Sequence, residues 1–455
     1  MQLQPIVIKW ILAGWMVLGI IPFATAGNGN NGSIQQLNLE QAREFALEHS
    51  AAMRTARADL DIAQKQIWET TAIGLPQVEG TLGYQYYLDI PTSLIPAEFF
   101  GGEPGEFEEI RFGTEHNLTA TATVNQLIFD GQYIVGLRAS RIFRELAAQN
   151  LKRSELEIIN TINETYFLAL VAEENLEIVK QNLRNMERTL YETEKMLEEG
   201  FTDPINVDQL KLTVSNMKNN ISRLERQRRL TLNLLKFQIG MKVETELELT
   251  DSLDGLFDEL LLEASIAADF DPQAHINYRI MRSQETMDEM VLRREQSSYL
   301  PRLSASFTRQ EMAMRDEFNF FDRDRSWFPS TYFGVNLNIP IFSSGMRRSQ
   351  VQQARLELEK SRIAREQTRE SLVLQMQEAT TDFETSLEQY QNEKENLQLA
   401  RRILDRTSIM HKEGMASSLE LTQANDQLLN TQANYLGAMF DLLNAKNNLK
   451  KALGR

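Results

Sequence analysis

Two spellings alternate along this chain. Over most of its length apolar residues recur every three or four positions, as on one face of a helix; in a few short stretches they recur every second position, as on one face of a strand. The change is abrupt within residues 73–86, IGLPQVEGTLGYQY. A helical pattern ends at Leu75-Pro76, and Val78, Leu82, Tyr84 and Tyr86 then alternate with Gln77, Glu79, Thr81 and Gln85. The same switch occurs at Leu300-Pro301 within YLPRLSASF, residues 299–307.

Proline is absent from 105–203 and from 341–455. Because proline removes an N–H and clashes with the preceding turn, those gaps are where long helices can run. Residues 132–199 and 346–413 are rich in Leu, Glu, Arg, Lys, Gln and Ala and stop at Gly200 and Gly414. As continuous helices, each would reach about 100 Å.

The two glycines are 214 residues apart, and so are Gly240 and Gly454. Between them lies one shared register: Val207, Leu210, Val214 and Met217 in the first segment, Leu421, Ala424, Leu428 and Thr431 in the second. A sustained 3-4 spacing predicts a coiled-coil seam, and its recurrence makes the chain two copies of one plan. Each copy reads helix, Leu-Pro, strand, loop, strand, long helix, glycine turn, shorter helix. The first repeat covers 27–240, with a strand hairpin at about 76–129 and helices at 132–199 and 204–240. The second covers 269–455, with a hairpin at about 301–342 and helices at 346–413 and 415–453. Pro76, Gly131, Pro301 and Gly345 mark the strand–helix junctions.

In the second strands, at 117–129 and 332–342, Leu118, Ala120, Ala122 and Val124, then Phe333, Val335, Leu337, Ile339 and Ile341, share one face. Strands of about 9 to 13 residues with this dyad pattern suit an outer-membrane barrel, the Thr, Ser, Asn and Gln face lining water. Four strands in lipid leave two open edges, so one chain cannot close a barrel. Two chains would give a filled barrel, three a channel; the argument does not separate three from four.

Composition narrows the setting. Lys9, the apolar run 10–21 and Ala24-Thr25-Ala26 read as a signal peptide over 1–26. Its loss takes the net charge from −16 to −17, which argues against a nucleic-acid partner, and no later run of 18 apolar residues offers a membrane-spanning helix. With no cysteine there is neither a disulfide framework nor a thiolate metal site.

No phosphate-binding glycine loop, nucleophile elbow or His-Glu-x-x-His occurs, so no catalytic residue and no cofactor is assigned. His49, His116, His275 and His411 are scattered and suggest no metal; Met281, Met287 and Met290 have core spacing; Glu103, Glu106, Glu108 and Glu109 read as a solvated loop.

Several stretches together resemble the TolC family of outer-membrane efflux ducts. They are LNLEQAREFALEHS at the first helix, the two Leu-Pro junctions, NQLIFDGQ and NLNIPIFSSGMRRSQVQQA after the hairpins, and the turns at Gly200 and Gly414. The resemblance covers nearly all of the mature chain. It implies a mainly α protein with transmembrane β: a homotrimeric twelve-strand β-barrel in the outer membrane, continued into the periplasm by a twelve-helix α-barrel. Residues 241–268 would form an equatorial belt. The implied partners are outer-membrane lipid, a periplasmic adaptor (membrane fusion) protein and an inner-membrane pump of RND, ABC or MFS type. The implied function is a passive exit duct for efflux or type I secretion, not an enzyme.

By position, the resemblance places the periplasmic entrance at Glu420 and Gln423, so one acidic ring of two is kept. It places the gate lock at Asn206, His411 and Ala416, where the best-known pattern has an acid, a tyrosine and an arginine. Asp203 and Asp208, beside the first turn, are further candidates for negative charge at the mouth. The alternative from another class is a periplasmic coiled-coil adaptor or scaffold, against which two repeated hairpins with amphipathic strands speak.

Overall fold

The computed structural model describes residues 35–262, 270–322 and 324–454. The signal peptide expected at 1–26 lies outside them, as does part of the 241–268 segment.

The chain opens with β1 (Gln35–Leu37) and two helices where the pattern reads as one, α1 (Leu39–His49) and α2 (Ala51–Ala72). The break is at Ser50, whose extended backbone lets its hydroxyl accept from the Met53 N–H and cap the second helix. Asn38 and Gln41 form a reciprocal capping box at the start of α1. Past Leu75-Pro76 the chain becomes β2 (Gln77–Tyr86). The following loop carries its own small hairpin, β3 (Thr92–Pro96) with β4 (Phe107–Arg111), which the residue pattern does not announce. Then come β5 (His116–Phe129) and α3 (Gly131–Glu198), a single 68-residue helix whose first N–H groups are held by the Asp130 carboxylate.

The turn at Gly200 leads to α4 (Pro204–Ile239). Beyond α4, Leu247–Leu249 is a strand, β6; it pairs in parallel with β1, and α5 (Leu253–Leu262) follows. Copy two continues with α6 (Ile276–Ser297), β7 (Arg302–Arg315) and β8 (Phe328–Asn338). It ends with α7 (Met346–Lys412) and α8 (Ser418–Ala452). β8 starts and stops four residues before the stretch 332–342, because β7 begins at Arg302, opposite Asn338, and offers 339–342 no partner.

The predicted seams are buried: Val207, Leu210, Val214 and Met217 on α4, and Leu421, Ala424 and Leu428 on α8. α3 packs against α2, α4, α6 and α8. The largest core cluster sits where the β1–β6 pair crosses the long helices, and Tyr166 anchors it. The Tyr166 hydroxyl donates to Asp251 at 2.8 Å and lies 3.1 Å from the Leu37 carbonyl; the same carboxylate oxygen accepts from the Leu39 N–H at 2.7 Å. Beside it Asn163 and Asn447 join copy one to copy two at 2.7 Å.

The four long strands form one antiparallel sheet in the order β2-β5-β7-β8. In register, Val78, Val124, Phe307 and Phe333 share a row on one face, while Thr123 and Thr308 lie side by side on the other. The apolar face is bare, with Val78 75% and Leu82 73% exposed, and among the described residues the outer edges of β2 and β8 are unpaired.

Candidate functional site

The candidate site has two ends, joined by α3 and α7. At the far end of the helices, both hairpins turn by the same device. Gly200 and Gly414 have φ +78° and +71°, a left-handed conformation that costs glycine little and a side-chain-bearing residue more. In each, the next residue's N–H reaches back to the helix, Phe201 to the Met196 carbonyl and Met415 to the Met410 carbonyl, both at 2.7 Å.

The structure brings two of the expected lock positions together. His411 is buried, and its Nε2 lies 3.1 Å from Oγ of the fully buried Ser418. The Ser418 N–H points to Oδ1 of Asn206 at 3.4 Å, and the Asn206 amide donates to the Thr202 hydroxyl at 3.0 Å. The two hairpin tips are thus tied through Ser418, a residue the sequence did not single out. Burial lowers the pKa of His411, opposed by the charge of Glu192, which also pairs with Lys412 at 3.4 Å. Ala416 stands apart: it is partly exposed, and its N–H goes to the Met410 carbonyl.

Glu420 has a dual position. Its carboxylate takes the N–H and the hydroxyl of Ser417 at 2.7 and 3.0 Å, closing a capping box on α8. Those two bonds lower its pKa, so the exposed group keeps its charge into mildly acidic solution. Asp203 occupies the N-cap of α4 but makes no side-chain cap bond. Asp208 and Gln423 are exposed on α4 and α8, and none of these three is joined to another. A groove of about 390 Å³ between α4 and α8 is lined by Gln209, Thr213, Asn216, Thr422 and Asp426. Asp426 is a further acid in this groove, its pKa raised by desolvation, and helical spacing from Gln423 could have pointed to it.

At the other end is the sheet. One face carries Leu303, Leu337, Phe307, Phe333, Val78, Leu82 and Tyr84, interrupted by the Arg309–Glu311 ion pair at 2.6 Å; the other presents Thr81, Thr121, Thr123, Thr308 and Asn336. At its top the segment after β7 folds back over the apolar face, burying Ala313 and Phe320, with Phe318 edge-on to Tyr84 at 5.6 Å. The Tyr84 hydroxyl lies 2.8 Å from Nδ1 of His116. Aromatic residues at a strand end, half apolar and half hydrogen-bonded, suit the boundary between hydrocarbon and water. Pro76 and Pro301 directly precede β2 and β7, Gly131 opens α3 and Gly345 caps α7.

Other proteins share this architecture. The outer membrane protein VceC of Vibrio cholerae aligns over 91% of this chain and 96% of its own, at 18% identity and a TM-score of 0.66. CusC aligns over 94% and 95%, at 16% identity and a TM-score of 0.72. At such identities the likeness establishes the fold. In sequence, the proteases secretion protein PrtF of Dickeya chrysanthemi is 21% identical over 342 residues, 73% of this chain and 70% of that protein. A family model described as outer membrane efflux protein matches residues 42–241 and 292–455.

Proposed function

We propose that this chain, which belongs to the outer membrane efflux protein family, forms with copies of itself a passive duct that carries substrates from the periplasm across the outer membrane. The observation that carries this reading is the continuity of a bare, open-edged amphipathic sheet with helices of 68 and 67 residues. In hydrocarbon an unpaired strand edge leaves backbone groups costing several kcal/mol each, so the sheet closes only with partners. Three chains give twelve strands around a water-lined channel, with Thr and Asn inward and Val, Leu and Phe outward. Exposed Leu212, Leu356, Ile363 and Leu374 on the helices then meet neighbouring copies.

The helices continue the channel through the periplasm towards an adaptor and an inner-membrane pump, of the efflux or of the type I secretion kind; the likeness to a secretion protein supports the latter as well as the former. Residues 1–26 direct export and are removed. The tips at Gly200 and Gly414 form the mouth, where Glu420, with Asp203 and Asp208, favours cations and Gln423 does not add to it. The Asn206–Ser418–His411 contact holds the two tips closed against each other; Ala416 contributes no side-chain bond to it.

Reconstitution into planar bilayers tests this. The expected result is ion conductance with cation preference, weakened by Glu420→Gln. Inserted protein that conducts nothing would overturn the duct, and an unchanged preference would remove Glu420 from the entrance.

A further inference from the structure

We propose that the join between neighbouring copies repeats the chain's own internal seam, so that β8 of one protomer pairs with β2 of the next with Asn338 opposite Thr81 and Asn336 opposite Gly83. The proposal rests on the reading that copies close a barrel, and adds the partner strand and its register.

The two copies carry the ruler. The Leu-Pro junctions equate Pro76 with Pro301, and hence Gln77 with Arg302, 225 positions on. Within the hairpins Gln77 pairs with Asn125 and Arg302 pairs with Asn338, so Asn125 and Asn338 are equivalent, the same residue type in both copies. The internal seam joins the second strand of copy one to the first of copy two, with Asn125 opposite Ser306 and Thr123 opposite Thr308. The unpaired edges are the other such combination: the second strand of copy two and the first strand of copy one. Ser306 is equivalent to Thr81 and Thr308 to Gly83, so the same seam drawn between molecules sets Asn338 against Thr81 and Asn336 against Gly83.

The register keeps like faces together and gives the glycines neighbours. Side chains alternate between faces, so a slip of one residue would put apolar groups in the channel; here Leu337 meets Leu82 on the apolar face and Asn336 meets Gly83 on the polar one. The glycines also find partners. Side chains added at Gly80 and Gly83 would touch nothing among the described residues, and in this register Ile339 lies beside Gly80, Asn336 beside Gly83 and Gln85 beside Gly334. A slip of two residues towards β2's start sets Gly334 against Gly83, a bare pair that weakens a strand contact.

The chain has no cysteine, so any disulfide reports an engineered pair. Full-length protein in outer membranes would carry Gly83→Cys with Asn336→Cys, Gly83→Cys with Gly334→Cys, or Gly83→Cys with Asn338→Cys, and be oxidised from the aqueous channel. Directly opposed residues lie within disulfide reach and diagonal ones do not, so the first pair should give covalent dimers and trimers at a rate about tenfold above the others. Preference for either other pair, or no crosslinking in protein that light scattering shows to be trimeric, overturns the register while leaving the barrel. Failure of all three in protein that is monomeric in detergent and in membranes overturns the shared barrel itself, and the seam with it.

Discussion

In the first hairpin the chain leaves α3, turns at Gly200 and enters α4 through Asp203-Pro204, with no side chain capping the new helix. In the second it turns at Gly414 and enters α8 through Ser417 and Glu420, which cap each other's backbone, with His411 buried against Ser418. The glycine turns are alike and the entries differ. A proline with fixed φ makes the first entry rigid whatever the solvent does, whereas the second depends on polar bonds that charge can break. The contrast places the adjustable half of the paired tips in copy two.

The other ends of the copies differ too, and there the effects should be largest. A Cβ on Gly240 would sit 2.4 Å from the His49 carbonyl oxygen, against backbone that cannot turn aside; on Gly454 it would meet the His275 ring at 3.2 Å. Both glycines have positive φ, so alanine at either carries a backbone cost of about 1 kcal/mol. Gly240→Ala should add a clash that lowers the thermal midpoint well beyond Gly454→Ala; equal shifts would mean that the ends are equivalent after all. Next in size is Tyr166→Phe, which strips the Asp251 carboxylate of one of its two donors. A loss of about 1–3 kcal/mol is expected by denaturant unfolding.

At the tips, Ser417→Ala removes a capping box and should cost about 1 kcal/mol, read as faster amide exchange in the first turn of α8. Asp203→Ala, where no cap bond exists, should leave α4 unchanged. The smallest effect concerns pH. His411 is held below its ordinary 6.5 by burial, so its neutral form belongs to the folded tip. The unfolded state binds the proton more readily, and stability is whole above about 6.5 and drains as pH falls below it towards the lowered value. The protection of amides around Ser418, corrected for the intrinsic pH dependence of exchange, should therefore fall below about pH 6.5 in the native protein and lose that dependence in His411→Gln. A pH response surviving the substitution would move the sensor elsewhere.

Particular residues explain what could be read in advance. The alternation of Val78, Leu82 and Tyr84 showed a strand because a two-residue period is local, and Gly200, Gly240, Gly414 and Gly454 announced the repeat because only glycine takes a left-handed turn cheaply. Ser50 escaped notice because the periodic pattern runs on across it, and one capping hydroxyl overrides that pattern. Ser418 was missed because its meaning lies in Asn206, 212 residues away. The β1–β6 pair joins residues equally distant, through strands of three residues too short to have a pattern.

The amino-acid order alone thus determined the long helices, the long strands with their faces, and the duplication, since propensity, periodicity and the exclusion of proline act over a few residues at a time. The folded chain decided which faces meet: that copy two contacts copy one through Ser418, that Asp251 ties the segment after β6 to Tyr166, and that the sheet runs β2-β5-β7-β8. Those are long-range pairings, fixed by packing that no local rule encodes.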